Sequence, residues 1–240
     1  MAKNPKRHQL RSRKERIALG LERTVTPRPI LPERHLFVTE GTKTEPNYLY
    51  GMIDRICQLY GEPCRRQFQV YGEGANTLGL LERAENHLRS ASDGFQHVWL
   101  LYDLDDFPPD RFDNTVTRCQ ALNERNRLQE KDTVFHPIWS NQCVELWFLL
   151  HFDYLQAGIP REAYRQRLSE LLGRPYEKND PELFSLLLPR LRQAVSNAKM
   201  LWDSFPADTP PSQRAPCTAF FQLIESLQSY LQPRRNSARK

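Results

Sequence analysis

The feature that most constrains the fold is the segment "HVWLLYDLDD", residues 97–106, which contains five consecutive apolar residues from Val98 to Tyr102. An apolar run without polar alternation is typical of a strand covered on both faces, and such strands lie at the centre of parallel sheets. Through residues 35–150, runs of strand length alternate with helical patterns. This alternation predicts an α/β fold with a mainly parallel sheet flanked by helices.

The neighbouring segments fit this sheet. "HLFVTE" is predicted to be the first strand, with a helix that starts near Thr44 behind it. "RQFQVY" alternates apolar and polar residues, as a strand near a sheet edge does. "TVFHPIWS" is predicted to form a strand despite Pro137, and "NQCVELWFLLHF" a short apolar helix.

The pattern changes after Tyr154, where strand-like alternation gives way to helical stretches at 161–172, 182–203 and 218–231. We therefore expect a helical region that packs on or beside the sheet. The predicted organisation is a basic N-terminal arm at 1–33, an α/β domain at 34–153, a helical region at 154–232 and a basic tail at 233–240.

The positive charge lies at the two ends of the chain. The formal net charge is +5, while residues 1–23 carry +6 and residues 233–240 carry +4, so the body between them sums to −5. A basic arm attracts the phosphate backbone of nucleic acids without reading sequence, which makes DNA or RNA a candidate partner. Basic arms can equally serve only solubility.

Other classes of protein are disfavoured. The chain has no apolar stretch of eighteen residues and no apolar segment near its start that could act as a signal peptide, so we expect a cytoplasmic protein without a membrane contact. Its five cysteines form no CxxC pair and its six histidines no HExxH motif. We expect reduced, mostly buried thiols and no zinc site.

Carboxylates follow two of the predicted strands: Glu40 ends the first, and Asp103 and Asp105 end the central one. Parallel strands present their carboxyl ends at one edge of the sheet, where ligands of open α/β folds bind. The DxD spacing places two carboxylates on one side of an extended segment, as ligands of one hard cation such as Mg²⁺. The alternatives are an Asx turn before Pro108 and a polar strand exit at Glu40-Gly41.

Two neighbouring loops bear on phosphate binding. Lys43 lies at the start of the first helix, whose amino end favours anions, although a surface lysine is unremarkable there. Gly72 and Gly74 in "GEGANT" lie between a strand and a helix, but GxG without a third glycine is more often a tight turn.

These segments together resemble the RloB-like family, bacterial proteins encoded beside restriction-modification and phage-defence genes, with a fold related to the Toprim domain. The resemblance covers roughly residues 34–225, and Asn141-Gln142 stands where the family usually has asparagine-proline. It rests on five motifs in order: "FVTEGTKTEPNYL", "GEGANTLGLLERA", "VWLLYDLDD", "SNQCVELWFLLHF" and "AVSNAKML".

The resemblance implies a Toprim-like site that cuts or joins phosphodiester bonds. Glu40 would act as general acid or base and, with Asp103 and Asp105, would hold Mg²⁺, or Mn²⁺ in its place. Lys43 and Glu145 would be further catalytic residues. Contacts to nucleic acid or phosphate would come from Lys43, Asn141, Asn197 and Lys199, with Lys199 able instead to pair with Glu145.

Three functions follow as hypotheses. The first is a metal-dependent nuclease for defence against foreign nucleic acid, with an ATPase partner encoded nearby, as the resemblance implies. The second is a noncatalytic module in which the same site binds nucleic acid or phosphate for regulation. The third is a docking protein whose interface would contain Trp139, Trp147, Leu149 and Phe152.

Overall fold

The computed structural model describes residues 31–74, 77–104 and 108–232. Within these ranges the chain forms a five-stranded sheet in the order β2-β1-β3-β4-β5. Strands β1 to β4 pair in parallel, and β5 pairs antiparallel with β4. The predicted α/β class is therefore confirmed. The strands are β1 His35–Thr39, β2 Phe68–Gly72, β3 His97–Asp103, β4 Val134–Asn141 and β5 Cys217–Thr218.

Helices cover both faces of the sheet and follow the strands in the predicted order. They are α1 Thr44–Tyr60, α2 Thr77–Ser90, α3 Pro109–Leu128, α4 Glu145–Leu149, α5 Arg161–Leu172, α6 Leu183–Leu187, α7 Leu191–Asp203 and α8 Phe220–Leu231. Short 3₁₀ turns occur at Glu62–Gln67, Leu188–Arg190 and Pro211–Gln213. The predicted helix at 182–203 is thus two helices, separated by a turn that contains Pro189, which cannot donate a helical hydrogen bond.

Strand β3 is central and buried on both faces, as its apolar run predicts. Leu100 and Tyr102 pack into one core layer with side chains of α2 and α3. Trp99 and Leu101 pack into the other, which contains side chains of α1, α4, α7 and α8. Burying one large apolar side chain stabilises the fold by about 1.5–3 kcal/mol, so β3 holds the two layers together.

Of the two outer strands, β2 was predicted from the sequence and β5 was not. Strand β2 lies at the edge of the sheet, as its alternation predicts. Strand β5 was not predicted, because two residues are too few to show a period. It pairs only with Ser140 and Asn141, so β4 is an edge at Pro137, where a proline is tolerated.

The predicted helical region packs against the sheet and also contributes a strand to it. Trp147 of α4 stacks on Phe220 of α8, with ring centroids 5.1 Å apart. The described residues on both sides of position 153 belong to one compact unit. All five cysteines are free and buried, which confirms the expected burial of the thiols. No helix in the described ranges is long and apolar enough to cross a membrane.

The four residues proposed for a docking interface pack into or against the core instead. Trp139, Trp147 and Leu149 are each at most 2% exposed, and Phe152 packs partly buried against the core. Their spacing reflects burial within the protein, so the hypothesis of an interface formed by these residues is wrong.

Candidate functional site

Glu40 and Asp103 lie side by side at the carboxyl edge of the sheet. Thr39 pairs with Leu101, so β1 and β3 end close together. A carboxylate oxygen of Glu40 accepts a hydrogen bond from the backbone N–H of Asp103 at 3.3 Å. Asp103, 8% exposed, accepts one in turn from the backbone N–H of Val144 at 3.1 Å. The structure thus brings together two of the three predicted metal ligands, and Asp105 lies outside the described residues.

These two residues line a cavity of about 350 Å³. Four of its lining residues are acidic and three are basic. The acidic residues are Glu40, Glu45, Asp103 and Glu145, and the basic residues are Lys43, Arg161 and Lys178. The cavity therefore places negative charge on the strand ends and on α4 beside positive charge on the adjacent segments.

Glu45 is a buried acid that the sequence did not single out. Its carboxylate accepts backbone hydrogen bonds from Gly41 and from its own N–H. Burial raises the pKa of Glu45, and the charge of Glu145 raises it further. An acid in the first turn of a helix is ordinarily explained by the helix dipole, which is why this position gave no separate signal.

The close approach of Glu45 explains the glycine behind Glu40. A Cβ atom at Gly41 would lie 2.1 Å from Oε2 of Glu45, closer than any real contact. Gly41 therefore makes room for a carboxylate of this chain. The loop after β2 packs on the same segment, since Gly74 N–H donates to the carbonyl of Glu40 at 3.0 Å. Gly74 has φ +59°, so it forms the tight turn that its spacing suggested.

Glu145 lies at the first residue of α4 and is 1% exposed. Its Oε1 is 3.7 Å from Nε of Arg165, 4.0 Å from Nζ of Lys178 and 3.5 Å from the hydroxyl of Tyr176. Its Oε2 is buried without a hydrogen-bond partner among the described residues. Burial and the charge of Glu145 raise the pKa of Tyr176, which therefore stays a neutral phenol. A buried carboxylate is costly unless opposite charges compensate it, so Arg165 and Lys178 stabilise Glu145 in this position.

Three predicted phosphate contacts, Asn141, Asn197 and Lys199, have other partners. Asn141 is 1% exposed, and its amide nitrogen donates to the carbonyls of Pro211 and Ser212. Asn197 is also buried, and its amide nitrogen donates to the carbonyl of Leu150 at 2.9 Å. Both amides hold the fold together and do not line the cavity.

Lys199 lies on α7 and pairs with Glu225 at 2.9 Å. The expectation that it pairs with Glu145 is wrong, because Arg165 and Lys178 take that place. Lys43 remains at the cavity, exposed, directly before α1. Helix α1 begins at Thr44, as predicted, and Lys43 occupies its capping position without a side-chain hydrogen bond to the helix.

The donor atoms suit a hard cation. Mg²⁺ takes one or two carboxylates and leaves its other positions to water and phosphate oxygens. Among the described residues, no group of three or more His, Cys, Asp or Glu side chains is arranged to hold a metal ion. Glu40 and Asp103 would supply two carboxylate ligands, and the cavity beside them has room for the other oxygens.

Fold and site together define an α/β protein with a mixed-charge cavity at the carboxyl edge of a mainly parallel sheet. The chain belongs to the family described as RloB-like protein, whose model matches residues 35–227. This confirms the resemblance carried by the five sequence motifs. No match to a curated protein was found.

Proposed function

We propose that this protein is a Mg²⁺-dependent nuclease that hydrolyses phosphodiester bonds of DNA or RNA. The observation that supports it best is the meeting of Glu40 and Asp103 at the ends of adjacent parallel strands, on a cavity that also contains basic side chains. Strand-end cavities of this kind are where open α/β proteins bind ligands. The mixture of acids and bases suits a phosphate accompanied by a divalent cation.

Each residue has a distinct role in this proposal. Glu40 and Asp103 would hold Mg²⁺ or Mn²⁺, with Asp105 as a further predicted ligand. When bound, the cation supplies charge stabilisation at the scissile phosphate. Glu40 accepts or returns the proton of the attacking water or of the leaving oxygen, and Lys43 binds a phosphate oxygen at the amino end of α1.

The biological setting follows from the family resemblance. We propose that the nuclease acts in bacterial defence against phage or other foreign nucleic acid, together with an ATPase partner. The partner would restrain or direct the cutting, so that the purified chain alone can be less active than the complex.

Substitution of Asp103 by asparagine tests the proposal. Asparagine keeps an oxygen that can accept the Val144 N–H but removes the charge needed for the cation. We expect Mg²⁺-dependent cleavage of DNA or RNA to fall about 100-fold or more. The matched control is Asp113→Asn, because Asp113 also accepts a backbone N–H, that of Ser212 at 2.9 Å, but does not line the cavity.

Cleavage by Asp103→Asn at the wild-type rate, or wild-type cleavage that survives removal of divalent ions by EDTA, would overturn the proposal. The wild-type chain could instead bind nucleic acid but cleave none, both alone and with the ATPase partner. That result would favour the noncatalytic regulatory module.

A further inference from the structure

Two of the three basic side chains of the cavity come from a part of the chain that carries no recognised motif. Arg161 and Arg165 lie four residues apart on α5, so they share one face of that helix. Lys178 follows in the connection to α6. This segment belongs to the helical region, yet Arg161 and Lys178 line the cavity at the carboxyl edge of the sheet. We call these three residues the basic wall.

Glu145 holds part of the basic wall in place without consuming its hydrogen-bond donors. The distances from Oε1 of Glu145 to Arg165 and Lys178 are 3.7 and 4.0 Å, longer than a hydrogen bond. The two basic side chains are 44% and 43% exposed, while Glu145 is buried. The pairing is therefore electrostatic, and the ammonium and guanidinium groups can still donate to a ligand that enters from solvent.

The lining of the cavity gives the indication of a ligand. Oε2 of Glu145 is buried within the protein, so a ligand in the cavity does not reach it. Arg161 and Lys178 line the cavity together with the carboxylates of Glu40 and Asp103. Basic groups bind phosphate oxygens and carboxylates bind a divalent cation, so a phosphate with its accompanying cation would satisfy both kinds of side chain.

We propose that the basic wall is a phosphate-binding subsite for the backbone of single-stranded nucleic acid, with Glu145 as its positioning residue. The proposal rests on the proposed function, and it adds the residues that hold the substrate and the form of the strand. The cavity of about 350 Å³ is at the small end of ligand sites. A cavity of this size does not admit a double helix, so a strand whose backbone enters it does so unpaired.

The test measures binding and does not depend on cleavage. Ca²⁺ replaces Mg²⁺, since it takes the same kind of oxygen ligands with looser geometry. Single-stranded DNA, single-stranded RNA and duplex DNA of equal length are titrated with the full chain by fluorescence anisotropy over a range of salt concentrations. The DNA and RNA arms distinguish the two sources of the same phosphate backbone.

Lys178→Ala is compared with Lys199→Ala, a matched control. Both lysines are about half exposed and both pair with a glutamate, but Lys199 does not line the cavity. We expect Lys178→Ala to weaken single-strand binding about tenfold. We also expect it to reduce the slope of log K against log salt by about 0.7, the value for one phosphate contact on a single strand. Lys199→Ala should change neither quantity.

Lys178→Arg guards against a folding effect, because it keeps the positive charge beside buried Glu145. It should restore most of the affinity. Equal effects of Lys178→Ala and Lys199→Ala, or the same Lys178 dependence for duplex as for single strands, would overturn the proposal. The nuclease proposal can fail separately. If Lys178→Ala specifically loses binding but the wild type shows no Mg²⁺-dependent cleavage, the subsite is supported and the nuclease activity is rejected.

Discussion

At the scale of single residues, the site depends on carboxylates whose surroundings differ. Asp103 accepts a backbone hydrogen bond in a nearly buried position, whereas Glu45 is buried close to another acid. Like charges in a buried site favour the protonated form of one member. Gly41 is part of this arrangement, because only a residue without a Cβ atom lets Glu45 reach the backbone there.

The raised pKa of Glu45 makes stability depend on pH. The folded protein binds the proton of Glu45 more tightly than the unfolded chain, whose glutamate keeps the ordinary pKa of 4.5. The free energy of unfolding therefore falls as pH rises from 4.5 through the raised pKa. We expect Glu45→Gln to gain stability relative to the wild type as pH rises, measured by urea unfolding at pH 4.5, 6 and 8 in EDTA.

Glu225→Gln is the control for this experiment, since Glu225 is an exposed glutamate paired with Lys199. It should not gain stability relative to the wild type as pH rises. A difference between wild type and Glu45→Gln that stays constant over the three pH values would contradict the assigned pKa shift.

Gly41→Ala tests the close contact directly. The new Cβ would displace the Glu45 carboxylate from its hydrogen bond with the backbone N–H of residue 41, so the variant should lose about 1 kcal/mol of unfolding free energy in thermal or urea unfolding. Gly94→Ala is the control, because a Cβ there meets no atom within 4 Å. The double variant with Glu45→Ala should lose less than the sum of the two single losses. Strict additivity would show that the contact does not limit this position.

At the scale of elements, the helical region contributes in two ways. Helix α5 and the segment after it bring basic side chains to the cavity. Helix α7 holds the end of α4 through Asn197, whose amide donates to the carbonyl of Leu150. Helix α4 is also fixed to α1, because the indole N–H of Trp147 donates to the hydroxyl of Tyr48 at 3.0 Å. The position of Glu145 therefore depends on helices far apart in the chain.

Two substitutions on α7 separate a buried role from a surface role. Asn197→Ala leaves the carbonyl of Leu150 without its buried donor, so we expect a loss of about 1–3 kcal/mol in unfolding free energy. Lys199→Ala removes only an exposed ion pair and should cost about 1 kcal/mol or less. Similar losses for both variants would show that Asn197 is not a structural residue.

At the scale of the whole molecule, the sheet and the helical region share one core. Strand β5 completes the sheet from the far end of the chain, and Thr218 shares a hydrogen bond with Ser140 at 3.0 Å. Trp139 of β4 also stacks on Trp202 of α7. The α/β portion thus has large apolar surfaces that only the helical region covers.

A truncated chain tests this dependence. We expect residues 31–153 alone to lack a cooperative unfolding transition in circular dichroism, because Trp147 and Trp139 would lose Phe220 and Trp202. Residues 31–232 should unfold in a single transition with coincident near-ultraviolet and far-ultraviolet signals. A cooperative transition in the shorter chain would show that the α/β portion is an independent domain.

The sequence by itself determined the type and order of most elements, because helix and strand periods are local properties of the chain. It also placed Glu40 and Asp103 at one edge, since all parallel strands present their carboxyl ends on the same side. The family could be recognised for the same reason, because its motifs mark the strand ends and the turns that follow them.

Only the tertiary structure decided which other groups meet there. Glu45 has the sequence signature of an ordinary first-turn acid, and Lys178 that of an ordinary surface lysine, until folding buries the first and places the second beside Glu145. Asn141 and Asn197 belong to recognisable motifs, but their amides bind backbone carbonyls of this chain. Such contacts join residues separated by tens of positions, and they depend on how helices pack, which no local period encodes.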